Sequence, residues 1–446
     1  MAGRYGESRG WWCMRLGIIL WSPMAGEFAG VTRRQAMSER NGVGEAWATC
    51  SCAGPLGIHI EGFATFLGRQ GYALSTVKTK LQLLVALSGW LQRRKMQVTD
   101  LDEERFGLFL ARHRRRGTRR GDERTGWQLL LYLRGLGCIP KPPETTDETA
   151  LGQVERDFAQ FLYSERGLKP ATVQNYQRTV RRFLMHRFRR QEPRLDELRL
   201  HDIHRFILER ASHVRRSYAK LMVTALRSFL RFLHQRGAIT ADLAAAVPAV
   251  ANWRLSHLPM SLTSEQVERL LACCDRSTLT GQRDFAILLF LSRLGLRAGE
   301  VVAMALDDFD WQAGEFVVHG KGNRQERLPL PRDVGSALVH YLRYVRPPCR
   351  TRRVFVRVRA PRCGFSGSAA ICDVVRRALA RAGFDPAFKG AHLLRHSLAT
   401  NMLRKGASLD EIGQLLRHVQ TDTTQIYAKV DIRALRGIAP PWPGGM

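Results

Sequence analysis

Six side chains, in chain order Arg297, Lys321, His392, Arg395, His418 and Tyr427, could act together in one reaction. Their types suit an anionic ester. Guanidinium groups stay charged and can bind two phosphate oxygens at once. Histidines move protons near neutral pH. A tyrosine hydroxyl can attack, but with an ordinary pKa of about 10 it needs a proton acceptor. Taken singly, none is decisive. Arg297 follows a nearly continuous apolar stretch, Phe285 to Ser292, and needs an anion: Glu300 in a simple ion pair, or a ligand. Lys321 sits in Gly320-Lys321-Gly322-Asn323, a tight turn between strands expected at 315–319 and 327–330; a lone hairpin lysine is ordinarily solvated. His392 and Arg395 share a face of a helix ending near Gly406. His392 and His396 are spaced like a zinc-binding pair. Leu393 stands where such a site needs glutamate, so no metal is expected.

The elements that must position these residues are also legible. Thr263-Ser264-Glu265-Gln266 and Ser408-Leu409-Asp410-Glu411 are capping boxes that open helices. The second helix ends at Leu416-Arg417-His418, and Thr421 or Asp422 is expected to cap a last helix carrying Tyr427. Upstream, two segments look alike. Phe63-Ala64-Thr65-Phe66-Leu67 matches Phe158-Ala159-Gln160-Phe161-Leu162, Gly71 matches Gly167, and Leu130, Leu133, Gly137 and Ile139 match Leu230, Leu233, Gly237 and Ile239. Apolar residues recur at helical spacing, so each copy reads as four helices. Each places a basic knot before its last helix: His113 to Arg120, with Arg115 and Arg116, and His213 to Lys220, with Arg215, Arg216, Tyr218 and Lys220. Such a run is a solvated surface or a set of phosphate contacts.

The bulk composition favours the second reading. The 446 residues hold 70 Lys plus Arg against 40 Asp plus Glu, a formal net charge of +30. With 45% hydrophobic residues the chain is no disordered basic tail. A folded protein this basic is expected to meet a polyanion, nucleic acid first and an anionic membrane surface second. No run approaches the roughly 18 apolar residues that span a bilayer. Residues 1–55 read as a poorly structured extension with Met24 and Met37 as alternative starts, and 141–149 as a linker. The nine cysteines include no C-x-x-C pair and read as free thiols in a reducing compartment.

As an ordered set, the six residues resemble the tyrosine recombinase (phage integrase) family. The matching motifs are Leu294-Gly-Leu-Arg297-Ala-Gly-Glu300, Gly320-Lys321-Gly322, His392-Leu-Leu-Arg395-His396 and Thr423-Thr-Gln-Ile-Tyr427. Arg417 departs from the pattern, which usually has glycine before this histidine. The resemblance implies a mainly α, multidomain protein: an extra helical domain at 56–140, a SAM-like core-binding domain at 151–250, and an α+β catalytic domain at 260–438 with a small β-hairpin sheet.

It also implies a mechanism. Arg297 and Arg395 would clamp the scissile phosphate, with His418 adding a hydrogen bond where charge develops. His392 would take the proton of the nucleophile Tyr427, and Lys321 would protonate the leaving 5′ oxygen. The product would be a 3′-phosphotyrosyl DNA and a free 5′-hydroxyl, formed without cofactor or metal. The expected partners are double-stranded DNA recombination sites and a homotetramer on DNA, with related recombinases as further partners and no membrane. The expected setting is the cytoplasm, at the nucleoid, and the expected task is integration or excision of a mobile element. A chromosome-dimer resolvase, a type IB topoisomerase and a non-catalytic DNA-binding protein stay open as alternatives.

Overall fold

The structure is a computed structural model that describes residues 54–114, 121–140, 149–189, 192–214, 216–250, 260–320, 324–418 and 424–430. The expected extension at 1–55 lies almost wholly outside them. The chain divides into two compact units, Lys141–Ser256 and the remainder.

Among the described residues, the first part of the remainder holds the helices α1 (Ile60–Arg69), α2 (Leu74–Arg93), α3 (Glu103–Arg114) and α4 (Asp122–Gly135). The second unit repeats the plan with α5 (Ala150–Ser164), α6 (Pro170–Phe188), α7 (Leu200–Ala211) and α8 (Arg216–Gln235). Matched positions have matched fates. Phe63 and Phe158, Leu67 and Leu162, Leu130 and Leu230, and Ile139 and Ile239 are all buried. Gly71 and Gly167 both take positive φ, +79° and +58°, in the turn after the first helix. That left-handed conformation suits a residue without Cβ. Each bundle encloses its own apolar core, built from residues 56–139 and 151–247. In the first bundle, the Gln70 carbonyl accepts a hydrogen bond from the Arg362 backbone N–H at 2.8 Å.

From residue 260 on, the described residues form α9 (Ser264–Ala272), α10 (Leu279–Arg293) and α11 (Ala298–Ala303), then strands β1 (Phe309–Asp310), β2 (Glu315–His319) and β3 (Gln325–Pro329). Then come α12 (Arg332–His340), α13 (Ser368–Arg381), α14 (Ala391–Arg404) and α15 (Leu409–Leu416). The apolar run of α10 is buried all round, from Ala286 to Leu291. It packs against α9, α12 and α14. Both capping boxes form: Thr263 Oγ1 accepts from the Gln266 N–H, and Ser408 Oγ from the Glu411 N–H.

The sheet is antiparallel in the order β1-β2-β3. On β2, Phe316 and Val318 are buried while Glu315, Val317 and His319 are half-buried, the period-two pattern of a strand with one covered face. Phe316 and Phe309 meet Phe290 of α10 edge-on at 5.7 and 6.4 Å between ring centres. The sheet therefore has three strands where a hairpin was expected. Its last strand also starts earlier than expected, because the ladder runs to the turn and pairs His319 with Gln325.

Candidate active site

Five of the six expected catalytic residues are described; Lys321, in the β2–β3 turn, lies outside the described residues. Arg395 is the hub. It sits on α14, 3% exposed. Its Nη1 donates to the Gly295 carbonyl at 2.5 Å, and its Nη2 donates to the Leu416 carbonyl. Those two loops lead directly to Arg297 and His418. Gly295 must be glycine here: its φ is +57°, and an added Cβ would stand 2.6 Å from Leu416 Cδ2.

Arg297 caps α11. Its backbone N–H donates to Glu300 Oε2 at 2.8 Å, and its Nη1 donates to Oε1 at 2.8 Å. The ion pair considered from the sequence is thus present. Glu300 has a second cation, because Arg417 Nη2 donates to Oε2 at 2.9 Å. Burial pushes the Glu300 carboxyl up, but the Arg417 charge and the Arg297 hydrogen bonds outweigh it and hold the carboxyl below its usual value. Burial pulls Arg395 down to about 9, and the charges of Arg297 and Arg417 act in the same direction. Arginine nevertheless stays protonated in proteins. Three guanidiniums face one carboxylate, and the excess positive charge is a cost that a bound anion would relieve.

Burial and the neighbouring guanidiniums favour the neutral form of the histidines at this site. Burial, then the charges of Arg395 and Arg297, pushes His418 down to about 4. Its Nδ1 hydrogen-bonds with Thr424 Oγ1 at 2.8 Å. His392 is lowered too, by burial and then by Arg395 and Arg297.

Tyr427 lies on a short 3-10 segment, Gln425–Val430, and not on the helix expected; the expected caps Thr421 and Asp422 lie outside the described residues. Its N–H donates to the Thr424 carbonyl at 3.0 Å. The ring is 1% exposed and packs with Ala399, Met402, Ile412 and Leu416. Its hydroxyl meets Nδ1 of His396, at 2.8 Å, in the place given to His392 from the sequence. The reason is helical geometry: His396 stands one turn further along α14, on the side that faces Tyr427. Burial, then His392 and Arg395, pushes His396 down to about 4, so its neutral ring can accept the hydroxyl proton. Burial pushes the Tyr427 hydroxyl up to about 12, with Arg395 pulling the other way.

Sequence reading missed the part played by His396, although it lies in the same motif, and Thr424. The second of two histidines one helical turn apart was a usable signal. Among the described residues, no group of three His, Cys, Asp or Glu is placed to hold a metal ion.

Of the expected DNA-binding residues, Arg115, Arg116 and Arg215 lie outside the described residues. Arg216 and Lys220 are exposed on α8. Tyr218 is half-buried and accepts a hydrogen bond from Arg182 at 2.8 Å. Among the described residues no helix is long and apolar enough to cross a membrane.

The model of the phage integrase family matches residues 260–433, and that of the phage integrase N-terminal SAM-like domain matches residues 156–237. The protein named integrase/recombinase y4rA in Sinorhizobium fredii is 44% identical over 392 residues, 88% of this chain and 95% of that one. Tyrosine recombinase XerD of Mycobacterium tuberculosis is 33% identical over 306 residues, 64% of this chain and 95% of that one. The fold is similar to XerH site-specific recombinase, solved bound to a palindromic difH substrate in a post-cleavage complex. The TM-score is 0.53 at 20% identity, over 66% of this chain and 84% of that one. With the site geometry and these relatives together, the chain belongs to the phage integrase family, the DNA-cleaving and rejoining tyrosine recombinases.

Proposed function

We propose that Tyr427 is the covalent nucleophile and that Arg297 and Arg395 hold the scissile phosphate. The observation that carries this is the excess of guanidinium charge around Glu300, next to a tyrosine hydroxyl already paired with a neutral imidazole. Attack forms the Tyr427 Oη–phosphorus bond and breaks the bond to the 5′ oxygen. The tyrosine proton passes to His396, and Lys321 supplies one to the leaving oxygen. Arg297, Arg395 and His418 stabilise the charge that builds on the non-bridging oxygens. The linkage is a 3′-phosphotyrosine, which a second 5′-hydroxyl can reverse to exchange strands.

The substrate is double-stranded DNA carrying a recombination site. Phosphate contacts come from the basic knots, through Arg215, Arg216, Tyr218 and Lys220 in the second bundle and Arg115 and Arg116 in the first. Strand exchange between two sites takes four active sites, so the assembly on DNA is a tetramer, with related recombinases as further partners. The setting is the cytoplasm at the nucleoid, and the task is moving a mobile element. A nicked DNA carrying the target site tests the reading. Wild type should trap a covalent adduct and Tyr427→Phe none; an adduct that survives this change refutes it.

A further inference from the structure

Arg417 ends α15 with φ at +56°, in the left-handed region where a glycine sits without strain and an arginine does not. What offsets that cost is its side chain, which is 4% exposed. Nη2 reaches Glu300 Oε2, and Nη1 donates to the Leu415 carbonyl at 3.2 Å. Glu300 is equally buried, and its other partner is Arg297, whose side chain is 33% exposed. The one carboxylate therefore serves two guanidiniums, one locked inside and one facing outward.

The consequence is electrostatic. A desolvated carboxylate with a single cation holds it tightly and competes with any incoming phosphate. With Arg417 also on Glu300, the carboxylate is neutralised from the inside. The Arg297 backbone stays pinned through its N–H, while its guanidinium keeps a net charge to offer.

We propose that Arg417 is a positioning residue: it neutralises Glu300 so that the Arg297 guanidinium can pass from that carboxylate to the scissile phosphate. The inference rests on the reading of Arg297 as a phosphate ligand given under the proposed function.

A double-mutant cycle on the full chain tests it. The readout is the single-turnover rate of adduct formation on nicked DNA at saturating protein, with DNA affinity measured alongside. Tyr427→Phe is the control: if it still forms adduct, the underlying reading fails, whatever the cycle shows. Arg417→Gly should slow adduct formation roughly 10- to 100-fold, the scale of one charge-assisted hydrogen bond, with DNA affinity unchanged. In a Glu300→Gln background the same change should slow it little, because no carboxylate remains to neutralise. Arg417→Lys, which keeps the charge, should restore most of the rate. Equal slowing in both backgrounds, or a loss of affinity in place of rate, overturns the proposal. If Arg417→Gly does not fold, Arg417→Gln carries the same cycle with the same two outcomes.

Discussion

Arg395 donates to the main-chain carbonyl of Gly295 at 2.5 Å, and so the guanidinium proposed to hold the scissile phosphate is also a structural tie. With its second bond, to Leu416, it fixes the loops of Arg297 and His418 against α14. Both uses share one side chain, and substitutions here act on chemistry and folding together.

Arg395→Ala should abolish adduct formation and lower the melting temperature, since two carbonyls lose their donor. DNA affinity should stay near wild type, because a chain with a net charge of +30 loses only one of many cations available to phosphates. Gel-shift titration at several salt concentrations separates the two effects. Affinity should fall steeply with salt in wild type and variant alike; a variant that cleaves normally contradicts the assignment.

Gly295→Ala should destabilise the protein by about 1–3 kcal/mol, through a strained positive φ and contact with Leu416. It should also slow cleavage, because the carbonyl that receives Arg395 must shift. Chemical denaturation and adduct formation together check this; a fully stable variant would show that the loop adapts freely.

His396→Ala should slow adduct formation by about 10²–10⁴-fold, the range of a positioned proton acceptor. His392→Ala should cost less. The reverse order would return the proton-accepting role to His392. Comparing the two rates against pH settles it, since only loss of the acceptor should leave a rate that rises steadily toward the tyrosine's own pKa.

Stability should fall on acidification through a window set by His396 and His418. Both titrate at about 4 in the folded chain against 6.5 when free. The folded state keeps them neutral and the unfolded chain takes up protons first. Their contribution is therefore complete above pH 6.5 and is lost as pH falls toward 4. Glu300, also lowered, adds a loss of the same sign at acid pH. His418→Gln should flatten the slope of melting temperature against pH in that window; an unchanged slope would show that His418 is solvated.

Much of this site was legible because its residues lie at motif ends with strong local signals. The capping boxes at Thr263 and Ser408 mark where helices open. The repeated bundles were legible through helical spacing, because a bundle's core residues are local in sequence. What stayed hidden depended on the third dimension. That His396 reaches Tyr427, while His392 does not, follows from how the segment around Thr424 lies across α14. The 3-10 form of Gln425–Val430 was masked by side chains that suit a helix equally well. Arg417 could be seen as an added charge, but its pairing with Glu300 joins residues 117 apart in the chain.

The burial of Tyr427 sets a limit on speed. The ring fills the small core between α14 and α15, so its hydroxyl has to be uncovered before it could meet a phosphorus. Cleavage by the proposed route would then require that segment to let go first, and its rate would contain the opening equilibrium as a factor. Packing at Met402 and Ile412 would then act as a safety catch. On the proposed mechanism, a change that only tightens this corner would hold the hydroxyl back, and one that only loosens it, leaving the Arg395 ties in place, would free it to react.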